Sequence, residues 1–362
     1  MARKHNHLFI FFRERSLLRK RRRAKHKTKL RNKEINRRKK HMAGDKIIRN
    51  RKNANRIENI KIDAELSFSL FEEPENVIRI IESLDKCKSK NRFIKNVQIE
   101  LSNIVKIDIG AISFLLAKVH EMSRIKTIRI WGTMPKDLNC KKVFDESGFL
   151  DYMMDLGGNR FKKHSENFIF KVGTDKTRNE KVGKTIEKSM KFLTAIDQKY
   201  PPVYSIVQEI CSNSVEWANA PETQNKNWFL GVNCPKDQDD TYITYTMTDI
   251  GFGILHTLNR RFGLLIKERL QLKKETEILF RAFERKYSSK TNETNRNRGL
   301  PLIKDRYEKG FIRGLKVITN NVFLDFEDQS NTRSLSKNLP GTFYTWKIDL
   351  KCINKWKQIH II

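Results

Sequence analysis

Tyr242-Ile243-Thr244-Tyr245-Thr246-Met247-Thr248-Asp249-Ile250-Gly251-Phe252-Gly253-Ile254 is the stretch on which the reading of this chain turns. Tyr242 to Met247 has the pattern of a strand, which extends over Thr241 to Asp249. It ends in a carboxylate, Asp249, followed by glycines at alternate positions, Gly251 and Gly253. Such glycines let a backbone lie against a flat ligand while the carboxylate accepts a hydrogen bond from it. Alone the turn is a weak signal, because Asp and Gly are what any tight turn selects.

Upstream, after Pro201-Pro202, residues Val203 to Asn219 read as a helix with Ile206, Val207, Ile210, Cys211 and Ala218 on one broad face. Glu209, Asn213 and Glu216 share an arc of about 60° on another face. The bland reading of that arc is a solvated stripe; the functional one is a carboxylate and an amide pointing the same way, one turn apart. Downstream, Arg296-Asn297-Arg298-Gly299-Leu300-Pro301-Leu302-Ile303 is a polar loop entering a helix, whose first N–H groups suit a phosphate. Between them lie residues 255 to 296, with a long charged helix expected over Leu264 to Arg285. Pro340-Gly341-Thr342 then opens a late strand pattern, Gly341 to Leu350, after two others at Leu315 to Ile318 and Val322 to Phe326.

In this order the pieces resemble the GHKL ATPases, the group of gyrase, MutL, histidine kinases, heat-shock chaperones and anti-sigma-factor serine kinases, all with the Bergerat ATP-binding fold. The resemblance covers residues 166–350. It implies that Asn213 coordinates Mg2+ bridging the phosphates of ATP and that Glu209 orients or activates a water or an acceptor hydroxyl. It implies that Asp249 bonds the exocyclic amine of adenine, with Gly251 and Gly253 allowing close approach and Thr342 assisting. Residues 255 to 298 would be the ATP lid, with Ser288-Ser289-Lys290-Thr291 and Arg298-Gly299-Leu300 near the phosphates. Two departures touch the lid: Asn297 stands where the family's motif has its first glycine, and Pro301 follows Leu300. The implied architecture is an α/β sandwich, a mixed sheet with helices on one face.

The region before it, residues 57–160, reads as strand, helix, strand, helix, a small α/β layer with a parallel crossover. Helices are expected at Glu75 to Leu84, Ala111 to Met122 and Lys141 to Ser147, with strands at Val97 to Leu101 and Thr127 to Trp131. Val105-Lys106-Ile107-Asp108-Ile109-Gly110-Ala111-Ile112 and Phe144-Asp145-Glu146-Ser147-Gly148-Phe149 are similar to STAS domains, the anti-sigma-factor antagonist fold. In the antagonists a serine before that glycine is phosphorylated by a GHKL partner; here Ile109 holds the position. Ser113 is an atypical alternative, and Asp108 with Gly110 is expected to shape the turn.

The formal charge of the 362 residues is +32, of which residues 1–56 hold 23 basic and 3 acidic side chains, a net of +20. This segment is expected to be a disordered tail contacting RNA or DNA without regard to sequence, or a solubilising extension. The other 306 residues carry +12 and are long enough for about two domains. Cys87, Cys140, Cys211, Cys234 and Cys352 show no metal spacing, and Leu8 to Phe12 is too short for a signal or a membrane span. His120, His164 and His256 lie far apart, and Trp131, Trp217 and Trp228 read as packing. The expectation is a cytoplasmic regulator of bacterial kind: tail (1–56), STAS-like layer (57–160), ATP-binding domain (166–350), short extension (351–362). It would be an ATPase or a protein serine/threonine kinase, with a protein partner on the STAS-like part and a homodimer possible. The alternative is a non-enzymatic module docked on nucleic acid or the ribosome.

Overall fold

The computed structural model describes residues 8–11, 57–88, 94–123, 125, 128–155, 158–159, 161, 168–174, 179–217, 227–234, 241–262, 274–284 and 299–360. Within them, α-helices and both parallel and antiparallel strand pairs build an α/β molecule with two main sheets.

The first sheet is organised by three parallel strands, β2 (Ile57–Asp63), β4 (Ile94–Glu100) and β6 (Ile128–Thr133), beside which β3 (Ser67–Phe68) and β5 (Lys106–Ile107) form a separate short parallel pair. Parallel neighbours need crossovers, and these are helices α1 (Pro74–Lys86) and α2 (Ile109–Met122). Pro74 sits in the first turn of α1, where no N–H is needed, and Val77, Ile78, Ile81 and Leu84 bury one stripe. Asp108 caps α2, its Oδ1 accepting from Ala111 N at 2.7 Å. A further helix, α3 (Leu138–Glu146), starts three residues before its expected position because Asp137 caps it through Cys140 N at 2.8 Å. Gly148, at φ 73°, follows its end.

The expectation of a wholly disordered tail is corrected at one place. Leu8–Phe11 forms strand β1, antiparallel between β6 and β7 (Met153–Met154), with Ile10 opposite both Trp131 and Met154. An apolar run there finds backbone partners on both sides. Leu8 lies opposite Thr133, so β1 runs towards the end of the sheet at which β2, β4 and β6 begin. Residues 12–56 therefore connect two strands of one sheet rather than trailing from it; their own course lies outside the described residues.

The second sheet takes β8 (Phe168–Thr174), β9 (Asn227–Asn233), β10 (Ile243–Asp249), β11 (Arg313–Asp325) and β12 (Arg333–Ile348) in the order β11-β12-β10-β9-β8. A mixed sheet with helices on one face was the expectation; every described pair is antiparallel, and both faces are covered. One face packs on helices α4 (Asn179–Thr194), α5 (Pro201–Trp217), α6 (Ile254–Phe262), α7 (Glu275–Phe283), α8 (Gly299–Glu308) and α9 (Leu350–His360), in a core that includes Ile206, Ile210, Tyr245 and Met247. The other face joins the first core, where Phe229, Ile318, Phe323, Leu335, Leu339 and Phe343 lie with Phe114 and Leu115 of α2. The reason is visible in β10, all seven of whose residues are buried. Its threonine face meets α2, with Ser113 Oγ and Thr246 Oγ1 3.1 Å apart.

Three other elements differ from expectation. The two strands expected at Leu315 and Val322 are one, β11, irregular around Asn320, which sits at φ 52°. Lys274 is extended (φ −118°, ψ 136°), so the charged helix expected over Leu264 to Arg285 is not continuous through it and its described part is Glu275–Phe283; residues 263–273 and 285–298 lie outside the described residues. The extension 351–362 belongs mostly to α9, whose Cys352 and Ile353 are buried in the second core. All five cysteines are buried and free, and no described helix is long and apolar enough to cross a membrane.

The topology separates the two parts of the amino-terminal segment. Phe11 and Ile57 lie three strand spacings apart and three residues along, about 17 Å, which a Gly/Ser linker of about ten residues spans. Replacing residues 12–56 by such a linker leaves the thermal unfolding temperature within a few degrees, whereas deleting residues 1–11 lowers it markedly; calorimetry on both proteins checks this.

Candidate functional site

β10 delivers Asp249 to the end of the second sheet, between Trp228 of β9 and Thr342 of β12. The carboxyl is 7% exposed. Ser214 Oγ of α5 reaches Oδ2 at 3.5 Å, while Oδ1 is buried with no hydrogen-bond partner. Burial pushes the Asp249 carboxyl up to about 7, against a downward pull from the Thr342 N–H and hydroxyl, Ser214 and the Gly251 N–H. A buried acceptor without a donor costs on the order of 1–3 kcal/mol, a cost that a ligand N–H pointing at Oδ1 would remove.

The glycines and threonines around it are fixed by close approach. A Cβ on Gly341, at φ 102°, would lie 2.1 Å from the Asp249 carbonyl oxygen. One on Gly253, at φ 81°, would lie 2.4 Å from Asn320 Oδ1 and 2.8 Å from Thr319 Oγ1. Those two side chains cap α6: Thr319 Oγ1 accepts from Ile254 N at 2.9 Å, and Asn320 Oδ1 accepts from Leu255 N at 3.1 Å. Asn320 Nδ2 also donates to Phe252 O at 2.8 Å, so the turn after Asp249 is held from β11. The Thr319 and Thr342 hydroxyls are 3.3 Å apart.

Glu209 and Asn213 meet at the start of α8. A Cβ on Gly299 would stand 2.9 Å from Glu209 Oε2 and 3.1 Å from Asn213 Nδ2. Both side chains are half-buried, so they are not a solvated stripe. They flank a helix start, the kind of terminus whose first N–H groups favour an anion, here without one at Pro301. Leu300 follows, its side chain against the second core. Since Ser214 is the residue after Asn213, one turn of α5 touches both the Asp249 end and the Gly299 end.

The structure thus forms two groups, Glu209 and Asn213 at Gly299, with Leu300 next to it, and Asp249 with Gly251, Gly253 and Thr342, linked through Ser214 on α5. Ser289, Lys290 and Arg298 lie outside the described residues, as do most of the lid and His164. Sequence reading missed Ser214, Thr319 and Asn320. Thr319-Asn320-Asn321 inside an apolar strand pattern was a signal for the last two; Ser214 had none. Ser113 is 1% exposed and bonded to Thr246, on the face of β10 opposite Asp249, which removes it as an accessible acceptor. Asp108 shapes its turn as expected, its Oδ2 accepting from Ser69 Oγ at 2.6 Å and Phe71 N at 3.0 Å. A surface cavity of about 500 Å3 between α1 and β2, lined by Lys61, Arg79, Lys86 and Lys95 among others, holds none of the site residues. Trp228 is buried packing, as expected, and His256 is exposed and stacked on Phe252. Among the described residues no three His, Cys, Asp or Glu side chains form a metal cluster. Mg2+ held by one amide oxygen and phosphates requires none.

The Asp249 carboxyl has its folded-state pKa raised from 3.8 to about 7, so the folded chain holds that proton more tightly. The associated stability is present below pH ~4 and is lost as pH rises through about 7. Asp249→Asn removes this loss, so its melting temperature relative to the native chain rises between pH 5 and pH 8; a difference independent of pH in thermal melts would contradict the buried, neutral carboxyl. No protein-family profile and no curated protein matches this chain in comparison with known proteins.

Proposed function

We propose that the chain is a Mg2+-ATP-binding regulatory protein of the GHKL type, an ATPase or a protein kinase acting on another protein, with a STAS-like amino-terminal layer. The observation that carries this reading is the arrangement along α5. Ser214 touches a buried carboxylate with one unpartnered oxygen, and Asn213 and Glu209 converge on a glycine-started helix.

In this reading Asp249 accepts the exocyclic amine of adenine, with the Thr342 hydroxyl beside it. Asn213 holds Mg2+ through its amide oxygen, and the first N–H groups of α8 face the phosphates. Bound Mg2+ neutralises phosphate charge and so makes the terminal phosphate easier to attack. The Glu209 carboxylate accepts a proton from the attacking water or acceptor hydroxyl. The burial of Ser113 behind β10 favours an acceptor outside this chain.

Calorimetry and phosphate release test these roles. Asn213→Ala loses Mg2+-ATP binding; Glu209→Ala keeps affinity within a few-fold and loses turnover by about 10²-fold or more. Gly299→Ala, whose methyl group would crowd both side chains, weakens affinity at least about tenfold while the protein still folds. Normal ATP affinity in Asn213→Ala would remove the assignment.

A second reading is favoured by charge and connectivity. Residues 12–56 carry 21 basic and 3 acidic side chains and are tied at both ends to strands of the first sheet, β1 and β2. Docking on nucleic-acid phosphates through them would be independent of sequence. If six to ten phosphates are engaged, affinity for single-stranded RNA falls roughly 10³ to 10⁵-fold between 50 and 200 mM salt. The linker replacement of residues 12–56 abolishes it, as fluorescence anisotropy would show.

A further inference from the structure

Thr342 and Phe343 are neighbours on β12 and therefore project to opposite faces of the sheet. Thr342 stands beside Asp249. Phe343 enters the first core, its ring 6.0 Å from that of Phe71. Gly110, in the first turn of α2, is pressed between them: a Cβ there would lie 3.0 Å from Phe71 Cζ and 3.1 Å from Phe343 Cζ.

Phe71 belongs to the segment 69–72, which Asp108 ties to the start of α2 through the Ser69 hydroxyl and the Phe71 N–H. The β11–β12 pair holds the same segment at two further points. Arg333 Nη2 donates to Phe71 O at 3.2 Å and Glu72 O at 3.4 Å, and Lys316 Nζ lies 5.9 Å from the centre of the Phe71 ring. No slack separates these contacts from the site, because Gly341 is already packed against the Asp249 carbonyl and Thr319 and Asn320 cap α6.

We propose that residues 69–72, with their Asp108 anchor, are the element through which occupancy of the Asp249 site is communicated to the amino-terminal layer, by way of Thr342 and Phe343. The inference rests on the nucleotide reading for its ligand, but the mechanical coupling is a property of the chain itself. Coupling of this kind is reciprocal: a ligand at Asp249 steadies the 69–72 segment, and loosening that segment weakens the ligand by the same factor.

The experiment uses the full chain, with Mg2+-ATP as the probe, and three variants. Phe71→Ala removes the packing, Arg333→Gln loosens the segment while leaving every core side chain in place, although it gives up the guanidinium over the Phe323 ring, and Phe144→Ala serves as a control. Phe144 packs on Phe149 in the same layer, with rings 4.8 Å apart. Without nucleotide, amide hydrogen exchange at Gly251 and Thr342 accelerates at least about fivefold in Phe71→Ala and Arg333→Gln, and not in the control. With nucleotide, affinity falls at least about fivefold in the same two variants and less than twofold in the control. Exchange at Phe71 and Ala111 slows in the native chain when Mg2+-ATP is added. Equal effects in all three variants, or none at Gly251 and Thr342, would overturn the coupling. A native chain that binds no Mg2+-ATP would overturn the nucleotide reading instead, and the nucleotide-free exchange would still decide the coupling.

Discussion

Helix α2 has no solvent face, and much of the molecule follows from that. Twelve of its fourteen residues are buried, including Lys118 at 0% and Ser113 at 1% exposure. A helix apolar nearly all round is stable only if every side is covered, and a single sheet covers one side. The first sheet takes one flank and the threonine face of β10 takes the other. Burial of Leu, Ile and Phe side chains contributes roughly 1.5–3 kcal/mol each, and Lys118 is the opposing cost. Burial lowers its pKa against the pull of Glu121 and Asp85, which lie 3.0 and 2.6 Å from its Nζ. Lys88 bonds the same two carboxylates, which makes the group a balanced four-charge cluster at the end of the helix.

The cover on both faces explains what was legible in the sequence and what was not. The end of β10, the glycines after Asp249, and the pairing of Glu209 with Asn213 were readable because they depend on spacings within one element. The threonines of β10 were not: alternation with Ile243, Tyr245 and Met247 reads as a solvent face, and their cover comes from a helix 133 residues earlier in the chain. Strand β1 was invisible for the same reason, since Leu8–Phe11 has no local partner and both of its neighbours lie more than a hundred residues away. The helix expected over Leu264 to Arg285 is interrupted by backbone geometry: charge and apolar spacing continue through Lys274, but its extended φ and ψ break the hydrogen-bond ladder there.

The site is built largely from one helix, the end of β10 and the middles of β11 and β12. Helix α5 supplies Glu209, Asn213 and Ser214 at fixed angular spacing, so their relative positions do not depend on a loop. Strands β10, β11 and β12 supply Asp249, Thr319 and Thr342 from hydrogen-bonded neighbours. The irregularity at Asn320 turns a side chain out of β11 to cap α6, so a break in one strand holds the turn that follows another. β-bulges are used this way, to re-aim a side chain beside a site.

The placement of β1 also sets an order of events. Both strands that flank it, β6 and β7, come from residues 128–133 and 153–154. At about 5–20 residues per second of synthesis, β1 waits roughly 6–25 s for β6. During that interval an apolar tetrapeptide leads a segment carrying 21 positive side chains, whose mutual repulsion opposes collapse and self-association. Strand β1 thus cannot take its place in the first sheet until partners more than a hundred residues further along the chain have been made.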